Sequence, residues 1–316
     1  TWGTHLLDLK KQGLDPERFI ADEGAGLRAG HALVYPKTPC DIDNFHITKT
    51  LQELRLFFHN LRKSADTYFK KMEHKMNKAK KHGNHSKCAR QMGVAKKYQA
   101  KMKYLSESLT TLIAWMDHDV LIKAGPNPQE RRELFDFIVA EFKKLENIYS
   151  HRIRNVRITL QNQKELMLAF TDVLDKKFET IAEKFFCSTE IIWAICRLQR
   201  CEHGSDNYAV RSVPFQILYK EQFYLMEDAV IDAMDSTERT SSMIENLNSR
   251  LSPYFFLRKE TGHDYLELLR FYLNHSVFMR SSNSNRVGKS PVEILTGKKQ
   301  PHWIEMLELQ RFKRAA

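Results

Sequence analysis

Two carboxylates stand out by their surroundings. Asp22 closes a short apolar run, Arg18-Phe19-Ile20-Ala21, and glycines follow at 24, 26 and 30. An acid at the end of a buried strand, ahead of a flexible turn, is presented at the rim of a sheet, where ligands of α/β folds gather. Glu245 lies in Ser241-Ser242-Met243-Ile244-Glu245-Asn246-Leu247-Asn248-Ser249-Arg250-Leu251. Helical spacing sets it among small polar side chains, with Asn248 close by and Arg250 to the side. Taken alone, each has a plainer reading that composition favours: Asp22 as a turn acid, Glu245 as a solvated helix position.

A second chemistry is electrostatic. Between Leu61 and Lys103 fourteen Lys or Arg residues, among them Lys70, Lys71, Lys75, Lys78, Lys80 and Lys81, face only Asp66 and Glu73. That stretch holds essentially the whole +11 charge of the chain. One element so loaded reads as a footprint for phosphates; the plainer reading is a solvated helical face, although such faces usually mix both signs. Other motifs fail on spacing. Gly288-Lys289-Ser290 lacks the earlier glycine of a phosphate loop, since Asn283 occupies that position, and Ser290 suits a helix cap. Gly24, Gly26 and Gly30 have the wrong last interval for a dinucleotide turn. Neither His74, His82, His85 and Cys88 nor Cys196, Cys201 and His203 has an established zinc spacing, so solvated or packed side chains are expected.

The elements that must position these residues follow from composition and pattern. A chain of 316 residues, 42% hydrophobic and 28% charged, can build a large core and is not a disordered tail. No apolar run is long enough to span a membrane, and no signal core follows Thr1. Five scattered cysteines form no disulfide framework and suit a reducing cytoplasm. A start at Thr1 suggests a fragment or a processed product. A helix capped by Thr4 is expected to run to Lys11, with a strand at Arg18–Ala21, a glycine-rich exit, and an extended piece from Cys40 to Ile47. Residues 48–235 read as a helical array, with breaks at His82-Gly83-Asn84, Gly125-Pro126-Asn127-Pro128, Ser188-Thr189 and His203-Gly204-Ser205-Asp206. After Pro214 a long helix or helix pair is expected to reach Leu251. Further helices are expected at His263–His275 and, started by Ser290-Pro291-Val292-Glu293, up to Gly297.

Several of these segments together carry a resemblance. Trp2-Gly3 and His5 to Lys10, then Ile20-Ala21-Asp22-Glu23-Gly24-Ala25-Gly26-Leu27-Arg28-Ala29-Gly30, resemble the second-acid region of bacterial insertion-sequence transposases of the DDE class. Glu245 to Leu251, Tyr265 to His275, and Arg286 to Gly297 resemble that family's last-acid segment and tail. Asp43-Asn44-Phe45-His46 resembles an Asp-x-x-His element that braces the site in some members that carry an insertion.

The resemblance implies a mainly α chain with a partial α/β RNase H-like core and a large all-helical insertion. Residues 1–47 would be the partial core, 48–235 the insertion, and 236–316 the final acidic helix with a helical tail. Asp22 and Glu245 would be the second and third acids, holding Mg²⁺ or Mn²⁺ for DNA strand cleavage and transfer, with Asp43, His46 and Asn248 in support and Arg250 on DNA. The first acid would precede Thr1, because Asp8 falls on a surface helix and Asp15 in a turn. The chain is then part of a longer transposase or a catalytically inactive DNA-binding or assembly protein derived from one. A homo-oligomer in the bacterial cytoplasm, at the nucleoid, is the family's expectation. Related proteins sometimes stack an aromatic residue of the insertion on an unpaired base; for Trp115 and Trp193, core packing is expected instead. A membrane-surface protein is a weaker third reading, because Lys70 to Lys97 contains no Leu, Ile, Phe or Trp.

Overall fold

The computed structural model describes residues 1–21, 24–81, 86–237, 251–254, 262–281 and 284–310. The chain divides into two compact units, Thr1–Ser242 and Met243–Ala316. Helix dominates both.

The first unit opens with helix α1 (Trp2–Lys11), whose N-cap is Thr1 rather than Thr4: the Thr4 amide donates to Thr1 Oγ1 at 3.3 Å. Gly13 ends the turn after it with φ +96°, a conformation open to glycine at no steric cost. Strands β1 (Phe19–Ala21) and β2 (Cys40–Ile42) pair in parallel, joined through helix α2 (Ala25–Val34). The glycines expected to make a tight exit lie at and inside α2. Their use is close packing: a Cβ on Gly30 would sit 2.6 Å from the Gly3 nitrogen of α1. The extended piece also stops early, at Ile42, because Asp43 caps the next helix.

That helix, α3 (Asn44–Lys81), and α4 (Ser86–Trp115) form a long antiparallel hairpin. Its root is built from large side chains, Leu51, Leu54 and Phe58 on α3 facing Leu105, Leu109 and Ile113 on α4, all buried. Farther out the seam thins to Ala65, Met72 and Met76 against Ala95 and Met102. Past Trp115 a π-helical turn, Met116–Val120, leads into a loop. Asn127 then caps α5 (Pro128–Ile148), with Pro128 in the first turn.

Arg131 shapes that loop. Its buried guanidinium donates to the carbonyls of Val120 at 2.6 Å, Lys123 at 2.8 Å and Pro126 at 2.6 Å, and also to Ile122. The rings of Phe170 and Trp193 flank it at 5.5 and 5.7 Å.

Helix α6 (Ile153–Phe185) is the long beam of the unit. Its first half closes the core of the hairpin root and α5; its second half packs with α7 (Thr189–Leu198) and α9 (Gln222–Asp235). Between those two, α8 (Asp206–Tyr219) keeps Pro214 inside the helix. Pro214 lies on the solvent side, where the carbonyl that loses its donor can turn to water. The helix pair expected beyond Pro214 therefore breaks at Lys220, with φ +52°, and α9 stops at Asp235.

In the second unit, residues 251–254 are helical and α10 runs from His263 to His275. Phe278 and Val287 form a parallel bridge. Helix α11 (Pro291–Thr296) starts in the expected way: the Glu293 amide donates to Ser290 Oγ, and the Ser290 amide donates to Glu293 Oε2 at 2.8 Å. Gly297, at φ +68°, ends it. The rings of Tyr272 and Trp303 meet at 4.9 Å.

Candidate functional site

The parallel strands end side by side. Ala21 pairs with Ile42, and the Asp43 amide donates to the Ala21 carbonyl at 2.9 Å. The backbone that leads into Asp22 is thereby tied to the start of the Asp43–His46 segment. Asp43 is buried, and its Oδ1 accepts the Phe45 amide at 3.0 Å, so one residue closes the strand pair through its backbone amide and caps α3 through its carboxylate. Asn44 reaches across to α6, donating from Nδ2 to the Met167 carbonyl at 3.1 Å. His46, one turn into α3, lines an open cleft of about 380 Å³ shared with Gly24, Thr50, Glu53 and Thr159. Gly24 is two residues past Asp22, so the two segments singled out in the sequence border the same cleft.

Asp22 lies outside the described residues, as do Glu245, Asn248 and Arg250. The chain leading to Glu245 can be followed as far as Thr237. There Lys177 of α6 donates to the Ser236 carbonyl at 3.0 Å, to Ser236 Oγ at 2.9 Å and to Thr237 Oγ1 at 2.9 Å. Burial, together with the positive charge of Arg18 nearby, pushes the Lys177 pKa below its ordinary value. Arg18 precedes β1 and pairs with Asp41 of β2. One face of α6 thus holds the end of β2 through Met167 and the exit of α9 through Lys177. Among the described residues no three His, Cys, Asp or Glu gather as a metal-binding group. Asp8 and Asp15 are exposed, the first on α1 and the second in the loop after it.

The second candidate site is the hairpin. Lys70, Lys71, Lys75, Lys78, Lys80 and Lys81 are all exposed, and none pairs with a carboxylate among the described residues. With 3.6 residues per turn, all but Lys80 fall within an arc of about 140° turned away from the seam. The sequence pattern places them there because Met72, Met76 and Ala79 occupy the inward positions between them.

Of the cysteine and histidine groups, His82 and His85 lie outside the described residues. Cys196 is buried between Lys123 and Met234, and burial pushes its thiol pKa up to about 12, so it stays protonated at neutral pH. His203 instead stacks at 4.5 Å on Tyr208, whose hydroxyl donates to Glu227 at 2.7 Å. Trp193 packs in the core and donates to Asp175 at 2.7 Å. Trp115 does not: it is 39% exposed, with Phe137 6.0 Å away. Leu112, Ile113 and Met116 take the inward positions around it and leave Trp115 facing out. Arg131, the most demanding polar residue of the interior, gave no signal in the sequence beyond its place four residues after an N-cap.

Comparison with known protein families, curated proteins and solved structures gave no match to this chain.

Proposed function

We propose that the chain is part of the catalytic region of a DDE-type DNA transposase, in which the α3–α4 hairpin grips the DNA backbone. In this reading Asp22 and Glu245 hold Mg²⁺ or Mn²⁺, Asp43 and His46 brace the first of them, and Asn248 and Arg250 flank the second. The bound ion supplies charge neutralisation and activation of the attacking oxygen in phosphodiester chemistry. The observation that carries the reading is the lysine-covered hairpin: Lys70, Lys71, Lys75, Lys78, Lys80 and Lys81 are exposed, have no carboxylate partner among the described residues and can meet phosphates. Support for the core comes from the strand–helix–strand unit, whose two strand ends adjoin Asp22 and Asp43.

Changing the six lysines to Gln should weaken duplex binding and reduce the slope of log K against log salt by about 0.9 for each phosphate no longer neutralised. A slope equal to that of the unaltered chain removes the hairpin from the interface. In the parent protein carrying all three acids, Asp22→Ala or Glu245→Ala should abolish Mg²⁺-dependent cleavage of a DNA end and leave gel-shift affinity within about twofold. Binding without cleavage in that parent would favour the inactive DNA-binding derivative.

A further inference from the structure

The two broad sides of the hairpin differ in chemistry. One is marked by cross-helix contacts: Arg62 pairs with Glu107 at 3.2 Å, and Gln99 donates to Asp66 at 2.8 Å. Steps of three, four or seven residues keep a position on one stripe of a helix. Glu73 and Lys80 therefore follow Asp66 along α3, and Lys96 and Lys103 flank Gln99 on α4. Asp66, Glu73 and Glu107 are the only carboxylates between Leu61 and Glu107, and all three lie on this side.

The opposite side carries none. Its stripe on α3 leaves Phe57 and passes through Tyr68, Lys71, Lys75 and Lys78; on α4 it holds Lys101, Tyr98 and Lys87. Tyr68 is 41% exposed and Tyr98 38% exposed, and every lysine of the stripe is exposed. At the root Arg152, in the turn between α5 and α6, lies 4.3 Å over the Phe57 ring, so positive charge continues onto the body. From Phe57 to Lys78 the stripe is about 30 Å long, room for several consecutive nucleotides.

Resting on the DNA-binding reading above, we propose that this side of the hairpin binds an unpaired DNA strand. Its lysines meet the phosphates, and Tyr68 and Tyr98 stack on bases. Exposed phenol rings set among cations are suited to bases whose faces are free, and in a duplex those faces are already covered. The carboxylates repel phosphates from the other side and so fix which face is used.

Two triple variants of the full chain remove equal charge: Lys71→Gln, Lys75→Gln, Lys78→Gln on the tyrosine side, and Arg62→Gln, Lys96→Gln, Lys103→Gln on the other. Fluorescence anisotropy with an oligo-dT strand and with a duplex of the same length, over a salt series, reads both. The first triple should weaken oligo-dT binding by about tenfold or more and flatten its salt slope by about 0.7 for each phosphate left without its lysine, with the second within about twofold. Tyr68→Leu with Tyr98→Leu should lower oligo-dT affinity by about fivefold or more and leave the duplex unchanged. Circular dichroism checks that each variant keeps its helix. Equal losses from the two triples, an unaltered oligo-dT affinity in the tyrosine variant, or tighter duplex than oligo-dT binding by the unaltered chain would overturn this assignment and leave DNA binding standing. Failure of the unaltered chain to bind either probe would instead remove the reading on which it rests.

Discussion

A guanidinium inside a helical body has to find acceptors, and Arg131 finds them in the loop that follows the π-helical turn. Removing it strands several buried carbonyls, each costing about 1–3 kcal/mol. Arg131→Met should therefore destabilise the first unit by about 3 kcal/mol or more in urea unfolding. Gly125 is tied to the same feature: a Cβ there would lie 2.7 Å from the Asp119 carbonyl and 2.8 Å from the Arg131 guanidinium carbon. Gly125→Ala should cost about 1–3 kcal/mol by crowding, whereas Gly93→Ala, where a Cβ meets nothing, should stabilise slightly. His31 acts through pH. It is buried against Phe19 at 4.6 Å with Nε2 lacking a hydrogen-bond partner, and burial, then the Arg28 charge, hold its pKa below the ordinary 6.5. The unfolded chain takes up this proton first, so stability from this site is complete above pH 6.5 and falls as pH drops through the unfolded and then the folded pKa. In His31→Phe that part of the loss between pH 7 and pH 5 should vanish from chemical unfolding curves.

At the scale of elements, boundaries were legible wherever a cap was written into the sequence. Asn127-Pro128, Ser205 and Ser290 to Gly297 start or end helices as their side chains require, and Ser188 sits at a helix start without a side-chain cap bond. Breaks made without Gly or Pro were not legible. Arg152 and Lys220 turn the chain at φ +65° and +52° with residue types that give no warning. The reverse holds from Gly24 to Gly30, where glycine allows α2 to approach α1 and is not there to bend the chain. Asp43 and His46 could be picked out only by likeness to a family segment. Their placement in space depends on β1 and β2 pairing, a contact between distant residues that no local pattern encodes. The box at α11 offers a test of local encoding: Ser290→Ala removes one of two reciprocal bonds and should cost the second unit about 1 kcal/mol. Urea unfolding followed by the fluorescence of Trp303, which lies in that unit, would read it.

For the whole molecule the charge is unevenly placed: Gly24 and His46, which follow the two strands, border the cleft, while the hairpin carries nearly all the excess cations. The same hairpin is unevenly built. Its root is locked by leucines, an isoleucine and a phenylalanine, whereas from Ala65 outward the buried seam residues described are methionine and alanine. Small seam residues bury less apolar surface, at roughly 25 cal/mol per Å², so the outer turns open at lower free energy than the root. Cations crowded on those turns repel one another and favour opening until an anion covers them. Amide hydrogen exchange should therefore be fast from about residue 70 to residue 81 and from 86 to 97, and slow at Leu51 to Phe58 and Leu105 to Ile113. On the DNA-binding proposal, added DNA should slow the outer amides selectively, and the arm would then gain its rigidity from a bound polymer.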